Sequence, residues 1–379
     1  MKTVQRYALF FAISICGIIA FGLILLRTKL KVINDGVLTR NILFQNLPES
    51  KDNRYKLWKN IWTPVYQPSA YDIGIATQCS INNLFYVADL VASWPGTISV
   101  AVFFEGSKLK EFEESLLFLL HCHKDVARRV SFHAVLPLSR PPFNNLLRLT
   151  EKKFLKCDKN VLNHGRKLNY DLEMLSYPVN LLRNTAISTL KTSHILLIDI
   201  DIIPSSNLYY DVIKWLPQDL EALVIPIFEI KESHNVPLTK SELLSLWQKN
   251  QVRPFYIELC KKCQELTDYQ QWKRNDAMVS IFSINWSYPW EPFFISQKEN
   301  FVFDERFEQY GFNRVSQICD FHLRGGRFKI YNNGFLLHKG FKVTSSFYSS
   351  KNVDHLRNKI LYKKLKLELY SKQNGSRSC

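Results

Sequence analysis

The chain has 379 residues and a formal net charge of +16, with 46% hydrophobic and 22% charged residues. That balance excludes a disordered or fibrous chain, and the length admits one large domain or two smaller ones with a substantial core. Nucleic acid is not the expected partner, because the chain has no zinc-finger spacing, no RNP-like aromatic motif and no dense Lys/Arg block. The cations are spread along the sequence, as on a solvated basic surface or one that attracts anionic small molecules or lipid.

Residues 7–26, YALFFAISICGIIAFGLILL, carry no charge and are long enough for one helical membrane span. The RTKLK that follows offers no cleavage site, so an uncleaved signal-anchor is expected. Lys2 and Arg6 precede the span while Arg27, Lys29 and Lys31 follow it, so charge bias alone does not orient it. Nearly all of the chain follows the span, which favours type II topology: a cytoplasmic tail over 1–6 and a lumenal remainder. The sequons at Asn285 and Asn374 suit that placement. Residues 27–70 are polar and irregular, with Pro48, Pro64 and Pro68, and are expected to form a stem before a domain over 71–379.

Cysteine usage is compatible with a lumenal domain. Cys16 lies in the span; Cys79, Cys122, Cys157, Cys260, Cys263, Cys319 and Cys379 lie beyond it, so at least one has no intramolecular partner. Cys260-Lys-Lys-Cys263 lacks a second CxxC to complete a zinc site and lacks a thioredoxin-like setting. A structural disulfide or plain thiols are expected there, and spacing does not give the connectivity.

Beyond residue 70 strands and helices alternate. YDIGIATQC (71–79) is a predicted strand, followed by the helix INNLFYVADLVASW capped by Ser80. TISVAVFF (97–104) is a strand, and SKLKEFEESLLFLLH a helix with Leu109, Phe112, Leu116, Leu117 and Leu120 at helical spacing. VSFHAVLP (130–137) is a strand, VNLLRNTAISTL (179–190) a helix, and HILLIDIDIIPS (194–205) a strand. This alternation predicts an α/β domain with a mostly parallel mixed sheet flanked by helices on both faces. Ligands of such sheets bind beyond the carboxyl ends of the strands.

Asp199 and Asp201 stand two residues apart in the last run, so on a strand they share a face. Like charges in an apolar setting need a proton or a cation between them. Three readings apply. The pair could be satisfied by arginine or backbone donors. It could belong to a phosphohydrolase with an aspartyl nucleophile, but that motif wants Thr or Val where this chain has Ile203, and it sits on the first strand of its fold. It could hold a divalent cation that bridges to a nucleotide diphosphate, the logic of the DxD motif. The anchor, stem and alternating sheet favour the third.

The segment YPVNLLRNTAISTLKTSHILLIDIDIIPS resembles the DxD region of glycosyltransferase family 49. WEPFFISQKENFVFDERFEQYGFNRVSQICDFHLRGGRFKIYNNGFLLHKGFK (290–342) resembles the family's C-terminal region. IATQCSINNLFYVADLVASWPGTISVAVF, VARRVSFHAVLPLSR and the tail NKILYKKLKLELYSKQNGSRSC extend the likeness over roughly 71–379, towards members that transfer glucuronate. The resemblance implies a GT-A-type fold in the Golgi lumen, Mn²⁺ as cofactor, UDP-glucuronate as donor and a xylose-terminated glycan as acceptor. It also implies that His338 completes a metal set with Asp199 and Asp201. Lys339 and Lys342 are then candidate phosphate partners, Arg183 and Asn184 candidate donor contacts, and Arg314 a candidate partner for the glucuronate carboxylate. An inverting reaction requires a base, for which Glu291 and Asp304 are the candidates. A transferase using UDP-N-acetylglucosamine or UDP-xylose, or a non-catalytic glycan-binding relative, stays open.

Overall fold

A computed structural model describes residues 36–38, 41–143, 146–148, 157–158, 160–162, 175–274, 282–343, 351–372 and 377–379. The expected tail and signal-anchor, and the sequon at Asn374, lie outside these residues. Among the described residues no helix is long and apolar enough to cross a membrane.

The strands Ile73–Ser80 and Ile98–Phe103 are buried along their whole length, and Val130–Pro137 nearly so. Strands covered on both faces must be apolar on both. The three pair in parallel, and His194–Leu197 joins the free edge of Ile73–Ser80, also in parallel. Alternate side chains feed two separate cores. Ile75 and Val100 pack with Leu90, Phe112 and Leu116 of the helices Tyr86–Ser93 and Leu109–Cys122. Ala76 and Phe103 pack with Leu182 and Ile318 of the helices Val179–Thr189 and Asn313–Leu323 on the other face. Ser80 caps no helix, because a 3-10 turn over Ile81–Asn83 intervenes and the Ser80 hydroxyl bonds Asn82.

The whole sheet is mixed, as expected, but antiparallel pairs outnumber parallel ones in it. Its ten strands run in the order 36–38, 55–64, 130–137, 98–103, 73–80, 194–197, 294–297, 221–224, 327–330, 282–284. Phe294–Gln297 lies antiparallel to both of its neighbours, and both ends of the sheet close with antiparallel pairs. Several of these returning strands are only three or four residues long, too short to show a period in the sequence.

Two expectations are corrected here. The stem does not extend over all of 27–70, because Tyr55–Pro64 is a ten-residue strand of the main sheet, antiparallel to Val130–Pro137. It buries Tyr55, Trp58 and Ile61. Its pairing shifts register between Trp58 and Trp62, and Asn60 takes a positive φ of 56°. A bulge of this kind erases the alternation that marks a strand. Second, 194–205 is not one strand. The first part ends at Leu197, and Ile202–Pro204 enters a second sheet with the order 252–254, 227–230, 336–339, 202–204. The Ile202 amide donates to the Asp199 carbonyl at 3.0 Å, closing a turn between the sheets. Aspartates favour such turns.

Disulfides join Cys122 to Cys157, Cys260 to Cys263, and Cys319 to Cys379, and Cys79 is buried and unpaired.

Candidate active site

The turn between the sheets holds both carboxylates just past the carboxyl end of His194–Leu197. Asp199 faces the main sheet's ligand edge. Its Oδ1 accepts from Arg183 Nη2 at 3.3 Å and from Gln78 Nε2 at 3.4 Å, and its Oδ2 from Arg314 Nη2 at 3.3 Å. Burial opposes its charge, but Arg314 and Arg183 together hold the carboxyl below its ordinary range, against the neighbouring Asp201. Arg183 is itself buried between the Asn180 and Asn313 amide oxygens. Burial, with Arg314 beside it, pushes its guanidinium down to about 10. Arg314 lies over the Phe293 ring at 4.0 Å.

Asp201 belongs to the second sheet. His338 sits on Leu336–Lys339, with its backbone opposite Ile202 on one side and Glu229 on the other. That register brings its Nε2 to 3.1 Å from Asp201 Oδ2, while Lys342 Nζ approaches the same oxygen at 3.3 Å. Burial opposes charge here too, yet the His338 hydrogen bond and the Lys342 charge hold the Asp201 carboxyl well below its usual range. On the other side of the ring, Nδ1 lies 2.8 Å from the Gly340 carbonyl. A carbonyl only accepts, so Nδ1 carries a hydrogen. Nε2 then presents to Asp201 either an imidazolium proton or a lone pair that needs a cation between the two groups. Metal-bound histidines are oriented by such a carbonyl contact, so Asp201 and His338 fit a divalent cation. Asp199 is turned to its arginines instead. Among the described residues no three His, Cys, Asp or Glu side chains converge as a ready metal cluster.

Beside Asp199 opens a cleft of about 600 Å³ whose walls include Arg183, Arg314, Glu291, Tyr256 and Tyr310. Among the described residues no hydrogen bond or ion pair engages the Glu291 carboxylate. Burial pushes it up to about 7, although Arg314 and Arg183 pull the other way. Its backbone is fixed from one direction. The Glu291 amide donates to the Cys263 carbonyl at 2.8 Å, and the Gln264 side chain donates to the Glu291 carbonyl at 2.9 Å. One residue earlier, Trp290 Nε1 donates to the Thr267 hydroxyl at 3.0 Å.

Several expected residues lie elsewhere. Asp304 is held by Arg306 at 2.6–3.0 Å, with Arg306 also bound to Glu368, and it lines a different pocket. Both of its carboxylate oxygens are thus engaged away from the cleft. Asn184 spends its amide on the Phe303 backbone and on Glu305, so it braces a loop. Lys339 points to solvent, because side chains alternate along a strand and its neighbour His338 points inward; Lys342 is the lysine that reaches the turn. Asn285 is exposed.

The sequence reading also missed residues. Gln78 lies near the carboxyl end of the central strand, where ligands of such sheets bind, and the Tyr177 phenol donates to it. Tyr256 takes a φ of 58°, a strained conformation for a bulky side chain that clusters at functional sites. Neither carries a sequence signal beyond its position at the end of an element.

A cleft at the carboxyl edge of the parallel strands, with two guanidiniums, a turn of two carboxylates and a third carboxylate unpaired among the described residues, suits the transfer of a group from an anionic donor. The chain is a glycosyltransferase and belongs to family 49, whose family model, described as "Glycosyl-transferase for dystroglycan", matches residues 72–374. It is 36% identical over 345 residues to beta-1,4-glucuronyltransferase 1 of Danio rerio, covering 84% of this chain and 80% of that protein. The Homo sapiens protein of that name is 36% identical over 344 residues, covering 86% and 81%. Xylosyl- and glucuronyltransferase LARGE2 of Mus musculus is 26% identical over 281 residues, 72% of this chain and 34% of that one. Among solved structures, GalNAc-T7 with UDP, GalNAc and Mn²⁺ aligns with a TM-score of 0.44 at 10% identity, over 80% of this chain and 49% of that one.

Proposed function

We propose that the chain is a metal-dependent, inverting glucuronyltransferase that moves glucuronate from UDP-glucuronate to a xylose-terminated glycan, using a GT-A-type domain in the Golgi lumen. The observation that carries the reaction type is the unpaired, charge-resistant Glu291 in the same cleft as Asp199, Arg183 and Arg314. Arg183, Arg314 and Lys351 against Asp199 and Glu291 leave that cleft with excess positive charge, which favours a donor bearing a diphosphate and a uronate. Similarity to beta-1,4-glucuronyltransferase 1 over more than four-fifths of the chain supports glucuronate as the sugar.

Asp201 and His338 are the residues that would hold a Mn²⁺, and Asp199 would join them by giving up one of its two arginines. When bound, that ion neutralises charge developing on the UDP leaving group. Lys342 adds a cation beside Asp201. Glu291 takes the proton from the attacking acceptor hydroxyl, and a carboxyl titrating near neutrality is suited to that step. Attack from the Glu291 side, opposite the leaving diphosphate, inverts the anomeric carbon. The three disulfides support an oxidising compartment, in keeping with a type II signal-anchor over 7–26.

The test is transfer to xyloside acceptors from UDP-glucuronate, UDP-N-acetylglucosamine and UDP-xylose, each with and without Mn²⁺. Glucuronate is expected to be transferred best and only with the metal. A preference for UDP-N-acetylglucosamine would overturn the donor; turnover unaffected by chelation would overturn the metal.

A further inference from the structure

The C-terminal helix Lys351–Tyr370 carries a feature that transfer does not use. Its inner face is docked firmly. Asp354, Asn358, Tyr362 and Leu365 are buried, and Asn358 donates to the carbonyls of Glu308 and Tyr310 at 2.8 and 3.0 Å. Its outer face presents Val353, Leu356, Ile360 and Leu367, exposed by 71%, 59%, 63% and 71%. The successive spacings of three, four and seven residues put all four on one stripe of the helix. Single exposed aliphatics are ordinary, but an aligned row of them marks an interaction surface.

The flanks of the stripe identify the partner. At helical spacing Arg357 and Lys364 run along one side of it, and Lys359 and Lys363 along the other. All four side chains are exposed, and Lys359, Lys363 and Lys364 make no hydrogen bond or ion pair among the described residues. A second copy of this helix would bring like charges together across the stripe. An apolar protein partner would leave the lysines unmatched. We infer that this helix face docks on an anionic lipid bilayer, its aliphatic row entering the headgroup–acyl boundary and its flanking cations meeting lipid phosphate and carboxylate groups. Helices that lie in the plane of a membrane combine these two features. The opposite face of the helix packs on the 308–310 loop, and Tyr310 lines the cleft, so docking would hold the catalytic opening beside the membrane surface.

The test uses the full chain with Ile360→Cys carrying an environment-sensitive fluorophore, reconstituted in vesicles of phosphatidylcholine alone or mixed with phosphatidylserine. The label is expected to shift to the blue and to be quenched by nitroxide-bearing lipids only in the anionic vesicles. A control label at the exposed Tyr71 should stay unquenched. Lys363→Glu with Lys364→Glu removes two cations at solvent-exposed positions and is expected to weaken the docked state by about 30-fold or more, at roughly one lipid-facing charge's worth each. High salt on the unmutated helix should give the same loss, which guards against a folding defect in the double variant. Absence of quenching in anionic vesicles, equal quenching in neutral ones, or energy transfer between labels on two copies without lipid contact would each overturn the inference.

Discussion

At the scale of single residues, the site divides into groups that hold charge and one that resists it. Glu291 is the latter, and its pH dependence has a definite sign. Its carboxyl rises from 4.5 to about 7 on folding, so the folded state keeps a proton that the unfolded state has already released. Stability is therefore lost as pH climbs through that window, and the whole loss persists above it. Glu291→Gln should cut kcat by roughly 100-fold or more, the usual worth of a positioned base. It should also raise the melting temperature at pH 8 while leaving it unchanged near pH 4. A lower melting temperature at both values would show that Glu291 is structural. Asp199 and Asp201 should separate in a different way. Either Asp→Asn change should slow transfer by about 100-fold, since a lost electrostatic contact in a dry site is worth roughly 3 kcal/mol. Both should also destabilise the fold, Asp199→Asn the more, because it strips the counter-ion from the buried Arg183 and Arg314 whereas Lys342 beside Asp201 is partly exposed. Titrating activity against Mn²⁺ alongside thermal unfolding tests both halves.

At the scale of elements, what could be read in advance follows from chemistry that repeats locally. The strands Ile73–Ser80, Ile98–Phe103 and Val130–Pro137 are predominantly apolar runs without a charge, and the helices between them keep a clear apolar spacing, so that part of the α/β pattern was legible. The strand Tyr55–Pro64 was not, because a bulge at its middle breaks its period. Nor was the second sheet, whose strands are three or four residues long and come from distant parts of the chain. Asp199 and Asp201 stood out as charges in an apolar run, whereas Glu291 and His338 could be singled out only through resemblance to a family. Removing residues through Pro64 should give insoluble protein, since it exposes the edge of Val130–Pro137 and empties the sites of Trp58 and Ile61; soluble yield of truncations beginning before Ser50 and after Pro64 checks this. The Cys260–Cys263 turn offers a milder test. It supplies the carbonyl and the amide that grip Glu291, so Cys260→Ser with Cys263→Ser should lower kcat more than it raises KM. Equal effects on both would remove that turn from catalysis.

For the molecule as a whole, the site is a joint product of two sheets, and one of the short passages between them carries both aspartates. The chain leaves the first at Leu197 and enters the second at Ile202, and each aspartate has partners of its own: Asp199 the arginines of two helices, Asp201 the side chains of His338 and Lys342. Composition at this passage is therefore less critical than its length. Ile200 is buried, and trimming it to valine should cost about 1 kcal/mol of stability with little change in rate. A single glycine inserted after Ile200 is a smaller chemical change but a larger geometric one. It would slide Ile202–Pro204 by one place along Leu336–Lys339, and a slip of one place turns every side chain to the opposite face. Asp201 would then lose its alignment with His338 although every residue of the site was still present. Deletion scanning of the turn, read by transfer rate and by circular dichroism, should find the site intolerant of any change in residue count while the fold persists.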